Sequence, residues 1–266
     1  MINLTLIKVG GAVLEDKDAL PVFLDNAASL PGAKIIVHGG GRTATDLASR
    51  LGLETSMVAG RRITGKEMLE VVTMVYGGLV NKSVVAGLQK RGLDALGMTG
   101  ADLKSIVSKK RPPVEVEGRL VDYGFVGDVE DVNARAMSSL LLDGVVPVIA
   151  PLTYDGNGGL LNTNADTIAS SVAMAMARLC DENGNKVYKV KLAFCFEKAG
   201  VLADPEDESS LIKKISKADF KYLKDKGIVS GGMLPKLENA FQAIESGVAE
   251  VIITDIYKLD GGTSLC

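Results

Sequence analysis

Leu6-Ile7-Lys8-Val9-Gly10-Gly11 and Ile35-Ile36-Val37-His38-Gly39-Gly40-Gly41 are two apolar, β-branched runs that each stop in glycines. Such runs read as buried strands of a parallel sheet. Glycine at a strand end lets the backbone approach a ligand closely and turn its N–H groups on an anion, and Lys8 adds a cation at the same place. The pair reads as a phosphate site.

Outward from these runs, strand and helix patterns alternate, which is the signature of βαβ units. A helix bearing Leu20, Phe23, Leu24, Ala27 and Ala28 on one face separates the two strands, and another helical pattern follows over 43–51. Residues 66–90 read as a long helix leading to a short strand at 94–97. Over 114–129, Val114, Val116, Leu120 and Val121 alternate around Glu117-Gly118, which predicts an antiparallel hairpin projecting from the sheet. A helix over 133–142, a buried strand over 145–150, a turn at 155–159 and a short strand at 160–162 come next. The helix over 165–180 carries Ile168, Val172, Met176 and Leu179 at helical spacing, with its methionines as core filler. The polar turn Asp181-Glu182-Asn183-Gly184-Asn185 suggests a lobe boundary near residue 180. Beyond it lie a strand over 187–196, a charged helix over 217–226, a glycine turn at Gly231-Gly232, a helix over 234–246 and a last strand over 251–254. The whole predicts a three-layer α/β/α sandwich with a mainly parallel central sheet.

Composition narrows the function. The chain has 266 residues, 47% hydrophobic, enough for one large domain or two closely joined lobes. Its net charge of −3 supplies no broad basic field, so nucleic acid is not an expected partner. Cys180, Cys195 and Cys266 are odd in number and scattered, which suits reduced thiols of a cytoplasmic protein; with His38 the sole histidine, no metal site of the chain's own is expected. No apolar run is read as approaching the ~18 residues of a membrane span, so no membrane partner is expected.

Several residues have the chemistry for a phosphoryl-transfer site, and each has a plainer reading when taken alone. Lys8 can place an ammonium on a phosphoryl group, or simply end a strand in solvent. Gly39-Gly40-Gly41 can bind an anion or make a tight turn, and His38 reads better as a core or supporting residue than as a base. Arg61-Arg62 can grip a carboxylate with paired hydrogen bonds, or lie on the surface. Asn162-Thr163-Asn164-Ala165-Asp166 opens a helix and fits ordinary N-capping as well as ligand binding. Gly231-Gly232-Met233-Leu234-Pro235-Lys236 opens another, with Lys236 able to face a phosphate. There is no P-loop spacing and no G-x-G-x-x-G fingerprint.

Taken in order, with Asn81-Lys82 and Gly124-Phe125-Val126-Gly127-Asp128-Val129, these motifs resemble the amino acid kinase family, and within it the acetylglutamate kinase branch, over nearly the whole chain. The first two glycine motifs occur across kinases of carboxylates, carbamate and uridylate. The G-F-V-G, N-x-N-A-D and G-G-M-x-x-K motifs together point to the acetylglutamate branch. The resemblance implies transfer of the ATP γ-phosphoryl group, with Mg2+ carried on the nucleotide, to the side-chain carboxylate of an N-acyl-glutamate in arginine biosynthesis. It implies that Lys8 and Lys236 flank the transferred group and that Asp166 holds both lysines. Gly11 and Gly40 would donate backbone hydrogen bonds near the phosphoryl group. Gly40, Gly41, Arg62 and Asn162 would hold the substrate. It further implies an acyl-amino-acid-binding and dimerisation lobe over 1–180 and an ATP-binding lobe over 181–266. The remaining alternatives are another carboxylate or carbamate kinase, or a catalytically silent amino-acid or nucleotide sensor.

The chain departs from the family pattern in three places. Arg61 stands where relatives carry an apolar residue near the acyl group, and an added cation there would suit N-succinyl-glutamate. Phe196-Glu197-Lys198-Ala199-Gly200-Val201-Leu202 lacks the usual Thr/Ser-Asp pair of the nucleotide segment. The tail after Thr254 lacks the longer helix expected there. Only seven residues precede Lys8, against the extra N-terminal helix of arginine-inhibited hexameric relatives, so the expected assembly is a homodimer.

Overall fold

The computed structural model describes residues 1–196, 198–204, 206–229 and 233–266. Among them the central sheet has eight strands in the order β14-β16-β15-β13-β1-β2-β10-β5. These are β1 (Ile2–Val9), β2 (Ala33–His38), β5 (Ala95–Met98), β10 (Val146–Ile149), β13 (Tyr188–Cys195), β14 (Lys214–Ile215), β15 (Glu250–Thr254) and β16 (Thr263–Leu265). Neighbours are parallel except β15 and β16, which run antiparallel. The mainly parallel α/β architecture read from the alternation is therefore the one observed. The tail differs in detail: after Thr254 the chain returns as β16 on the edge side of β15, a three-residue strand too short to show a period.

Side-chain alternation along the buried strands sorts the helices onto two faces. Leu4, Leu6, Ile35 and Val37 point into one core with Ile168, Val172 and Met176 of α7 (Ala165–Arg178) and Leu237, Ala240 and Phe241 of α9 (Met233–Glu245). Ile7, Val9 and Ile36 point into the other, against Phe23 and Leu24 of α2 (Ala19–Ser29) and Val84 and Leu88 of α5 (Asn81–Gln89). The parity has a direct consequence. Lys8 shares the α7/α9 face with Leu4 and Leu6, whereas His38 shares the α2/α5 face with Ile36.

The segment expected as one helix over 66–90 is α4 (Lys66–Val72), a π-helical stretch (Thr73–Val80) and α5, with Val71, Val72 and Val75 in a third core patch. It also amends the reading of apolar runs, since at 24 residues and a mean hydropathy of 1.4 it is long and apolar enough, by composition, to cross a membrane. The chain leaves the main sheet for two hairpins, β3 (Met57–Val58) with β4 (Arg61–Arg62), and β7 (Val114–Val116) with β8 (Arg119–Val121). Both turn through two residues at positive φ, Ala59-Gly60 and Glu117-Gly118, the twist that two-residue hairpins favour. A smaller sheet orders β12 (Leu160–Asn162), β11 (Leu152–Tyr154), β6 (Ile106–Lys110) and β9 (Gly127–Val132). Across residue 180 the main sheet is continuous, because β13 lies between β1 and β15.

Candidate active site

The C-terminal end of β1 is where strand order reverses, with β2 on one side and β13 on the other. In open parallel sheets that crevice is where ligands bind. Here it is occupied by the two glycine turns, which touch backbone to backbone. A Cβ on Gly11 would lie 3.0 Å from the Gly40 nitrogen, and one on Gly39 would lie 2.9 Å from the Gly11 nitrogen. Gly40 has φ +151°, and a Cβ there would also meet the Tyr76 ring at 3.1 Å. No other residue type fits this contact without moving backbone.

A cavity opens on each side of the paired turns. One, of about 210 Å³, is walled by Gly39–Gly41, Arg61, Arg62 and Asn162. The other, of about 420 Å³, is walled by Lys8, Gly10, Gly11, Phe196, Lys198 and Lys236. The partition between them therefore carries no side chain at the turns.

Lys8 is 8% exposed, and its Nζ lies 2.9 Å from Asp166 Oδ1 in the first turn of α7. Strand parity puts the lysine on that face, and the α7 register puts the carboxylate beneath it. The contact is an ion pair of poor hydrogen-bond alignment, since Asp166 Oδ1 is buried without an aligned donor. Lys236 lies in the first turn of α9, on the same face. Its Nζ stands 3.8 Å from the Phe196 ring centroid, and that of Lys8 stands 4.9 Å from it, so the aromatic face gathers both ammonium groups. The Gly231-Gly232 turn expected ahead of α9 lies outside the described residues, as does Glu197 of the nucleotide segment.

On the other side, the β3–β4 hairpin delivers Arg62, 8% exposed, to the start of α3 (Gly41–Arg50). Its Nη2 donates to the Gly41 carbonyl at 2.9 Å and to Thr45 Oγ1 at 2.8 Å, while Nη1 is buried without a partner. A buried guanidinium with one idle nitrogen is suited to an anionic ligand, because the orphan donor costs free energy until it is paired. Asn162 Nδ2 donates to Thr64 Oγ1, which sets its side chain at the cavity wall. Asn164, by contrast, is a cap: its Oδ1 accepts from the Asp166 and Thr167 nitrogens at 2.8 and 3.0 Å. The N-x-N-A-D motif thus divides its work between wall, cap and ion pair.

Arg61 is half-buried rather than solvated. Burial lowers its pKa, the neighbouring Arg111 charge acts in the same direction, and Asp128 opposes both. Arg111 is itself held by Asp128 through Nε and Nη2 at 3.1 and 2.5 Å. Two residues with no motif to announce them also shape the wall. Tyr76 sits in the π-helical stretch beside Arg62, its phenol pKa raised by burial and opposed by the Arg62 charge. Met57 precedes the hairpin turn. An irregular helix turn leaves no sequence period, and a two-residue strand is too short to show one, so neither was legible.

The chain resembles known proteins in sequence and in fold. The amino acid kinase family matches residues 3–255. The chain is 54% identical over 262 residues to an acetylglutamate kinase of Parabacteroides distasonis, covering 98% of each protein. The solved structure of smu.665 from Streptococcus mutans superposes with a TM-score of 0.74 at 26% identity, covering 98% of both chains. Giardia carbamate kinase shares the fold, with a TM-score of 0.66 at 12% identity over 99% of this chain and 98% of that one. By a family match across almost its whole length and by relatives of high identity and coverage, the chain belongs to the amino acid kinase family.

Proposed function

We propose that the chain is an acylglutamate kinase, transferring the γ-phosphoryl group of ATP to the side-chain carboxylate of N-acetyl-L-glutamate or a close N-acyl analogue, in arginine biosynthesis. The observation that carries this reading is the side-chain-free partition between two cavities, one lined by cations and the other by a carboxylate clamp. ATP enters the larger cavity with its phosphates toward Lys8 and Lys236. A smaller apolar space of about 170 Å³ beyond Lys198, bounded by Val201, Leu202 and Val229, suits the base. Arg62 Nη1 takes the substrate α-carboxylate, and Asn162 steadies it.

The acceptor carboxylate oxygen attacks the γ-phosphorus while the bond to the β-bridging oxygen breaks, releasing ADP. No base is needed, because the nucleophile is already ionised. Lys8 and Lys236 neutralise charge spreading over the transferred group, and the Gly11 and Gly40 N–H groups complete its cradle. Asp166 orients Lys8 and takes no proton. Magnesium would add charge neutralisation on the phosphate oxygens.

Residues 1–180 form the acyl-amino-acid lobe in this reading and 181–266 the ATP lobe of a cytoplasmic homodimer. Exposed Met74 and Leu79 on the outer side of the long helix supply apolar surface for pairing. Elution at twice the 27.9 kDa chain mass is the expected result, and a hexamer would contradict it.

The half-buried Arg61 beside Arg111 favours a second reading of the acyl group. Arg61 and Arg62 both line the cavity, and a second guanidinium there suits a terminal carboxylate, hence N-succinyl-glutamate. ADP release with ATP, Mg2+ and a panel of acetylglutamate, succinylglutamate, aspartate and carbamate tests both. Turnover confined to the acylated glutamates supports the kinase. A clear preference for the acetyl compound eliminates the succinyl reading, and binding without turnover favours a sensor.

A further inference from the structure

Three consecutive glycines have the greatest conformational freedom a chain can have, yet a phosphoryl cradle must be fixed before the reaction. Something must hold this turn. At its far end Arg62 Nη2 bonds the Gly41 carbonyl. At its near end the Gly39 N–H donates to the Val9 carbonyl at 3.1 Å, and the side-chain tie is His38, fully buried, whose Nδ1 lies 2.8 Å from the Gly39 carbonyl. The opposite ring nitrogen, Nε2, lies 3.0 Å from Nδ2 of Asn81, the first residue of α5, and that same Nδ2 donates to the Val148 carbonyl of β10 at 2.9 Å.

The network admits one protonation pattern. Turning the Asn81 amide over would set its oxygen against the Val148 carbonyl, acceptor to acceptor. Nδ2 is therefore the inner atom, Nε2 accepts from it, and the ring proton resides on Nδ1, where it is donated to Gly39. Burial pushes the imidazole pKa down to about 4, so the ring stays neutral. Asn81 holds this place at a cost. Its Oδ1 is buried with no partner, and a Cβ at Gly97 would fall 1.8 Å from it, so the neighbouring strand gives up a side chain to admit the amide. Apolar packing would be the cheaper filling for such a space.

We propose that His38 and Asn81 are positioning residues for phosphoryl transfer: Asn81 locks His38 as the Nδ1–H tautomer, and His38 in turn anchors the Gly39 carbonyl and so aims the Gly40 and Gly41 N–H groups. The proposal rests on the kinase reading above. Neither side chain lines either cavity, so both act through the backbone.

The test compares steady-state turnover of the wild-type chain, His38→Leu, His38→Asn and Asn81→Leu with ATP, Mg2+ and acylglutamate, after a melting curve shows each variant folded. His38→Leu fills the same space without a donor, and is expected to lower kcat about 10²-fold. The acceptor KM, set by Arg62, is expected to move less than about threefold. His38→Asn, whose Nδ2–H falls near the original Nδ1–H, should recover most of the loss. A purely packing role would make Leu at least as good as Asn, and that result overturns the proposal. Should His38→Leu not fold, Asn81→Leu carries the same expectation. The chain's one histidine gives a single 15N signal pair in which Nδ1 should be protonated and Nε2 bare; the reverse tautomer also overturns it. A wild-type chain inactive with every acceptor defeats the kinase reading and this proposal together, whereas an active wild type beside an undiminished His38→Leu defeats the proposal alone.

Discussion

Lys8 ion-pairs with Asp166 at 2.9 Å while almost fully buried, and it lines a cavity that also carries Lys198 and Lys236. Lys8→Ala or Lys236→Ala is expected to lower kcat by about 10²–10³-fold, with a much smaller change in melting temperature, because each removes charge aimed at the transition state. Unchanged turnover in both would remove them from the reaction. His38 brings a pH dependence of stability. Its pKa falls from an ordinary 6.5 to about 4 by burial, so between those values the unfolded chain binds the extra proton and stability declines as pH falls. The full loss by about pH 4 is roughly 3 kcal/mol. Urea midpoints near pH 7 and near pH 5 should therefore draw apart less in His38→Asn than in the wild type. At this scale the family resemblance singled out Lys8, Asp166 and Arg62, and the structure sets Lys8 against Asp166 and Arg62 at a cavity wall. The sequence could not reveal that Arg61 meets Arg111 and Asp128, or that Tyr76 supports Gly40, since those contacts join segments far apart in the chain.

The two glycine turns work as one element, because each fills the space a Cβ on the other would need. Gly39→Ala and Gly11→Ala press a methyl on backbone that cannot yield without reshaping the cradle. A displacement of about 1 Å is enough to cost about 10²-fold in turnover. Kinetics on the folded variants check this, with wild-type kcat as the contrary result. In α7 the expectation is opposite. Met176 is fully buried and remote from the ion pair in sequence, so Met176→Ala should cost about 2–5 kcal/mol of stability and leave kcat per folded molecule near wild type. Helix and strand positions were readable from hydrophobic periodicity, including α6 (Ala134–Leu142) and the two strands around the Glu117-Gly118 turn, although Asn133, expected inside the helix, is its cap. The π-helical stretch and β16 were not, since one rests on a backbone irregularity and the other on three residues that borrow their order from β15.

Across the whole molecule, sheet parity explains why residues more than two hundred positions apart meet. Leu4 and Leu6 bind α7 and α9 to one face of β1, and Lys8, next on that face, receives Asp166 and lies near Lys236 without any further device. The alternation of elements implied a parallel sheet. The strand order that makes β1 the switch point depends on long-range pairing, which local patterns do not encode. The resulting crevice holds two cavities on either side of the paired glycine turns, and transfer between them is the claim on which the rest depends. Incubation with γ-labelled ATP, Mg2+ and N-acylated glutamate tests it directly. Label should appear in an acyl phosphate that hydroxylamine discharges, in the wild type and far less in Lys8→Ala. Label that stays in ATP, or passes to inorganic phosphate whether or not the acylglutamate is present, would contradict it.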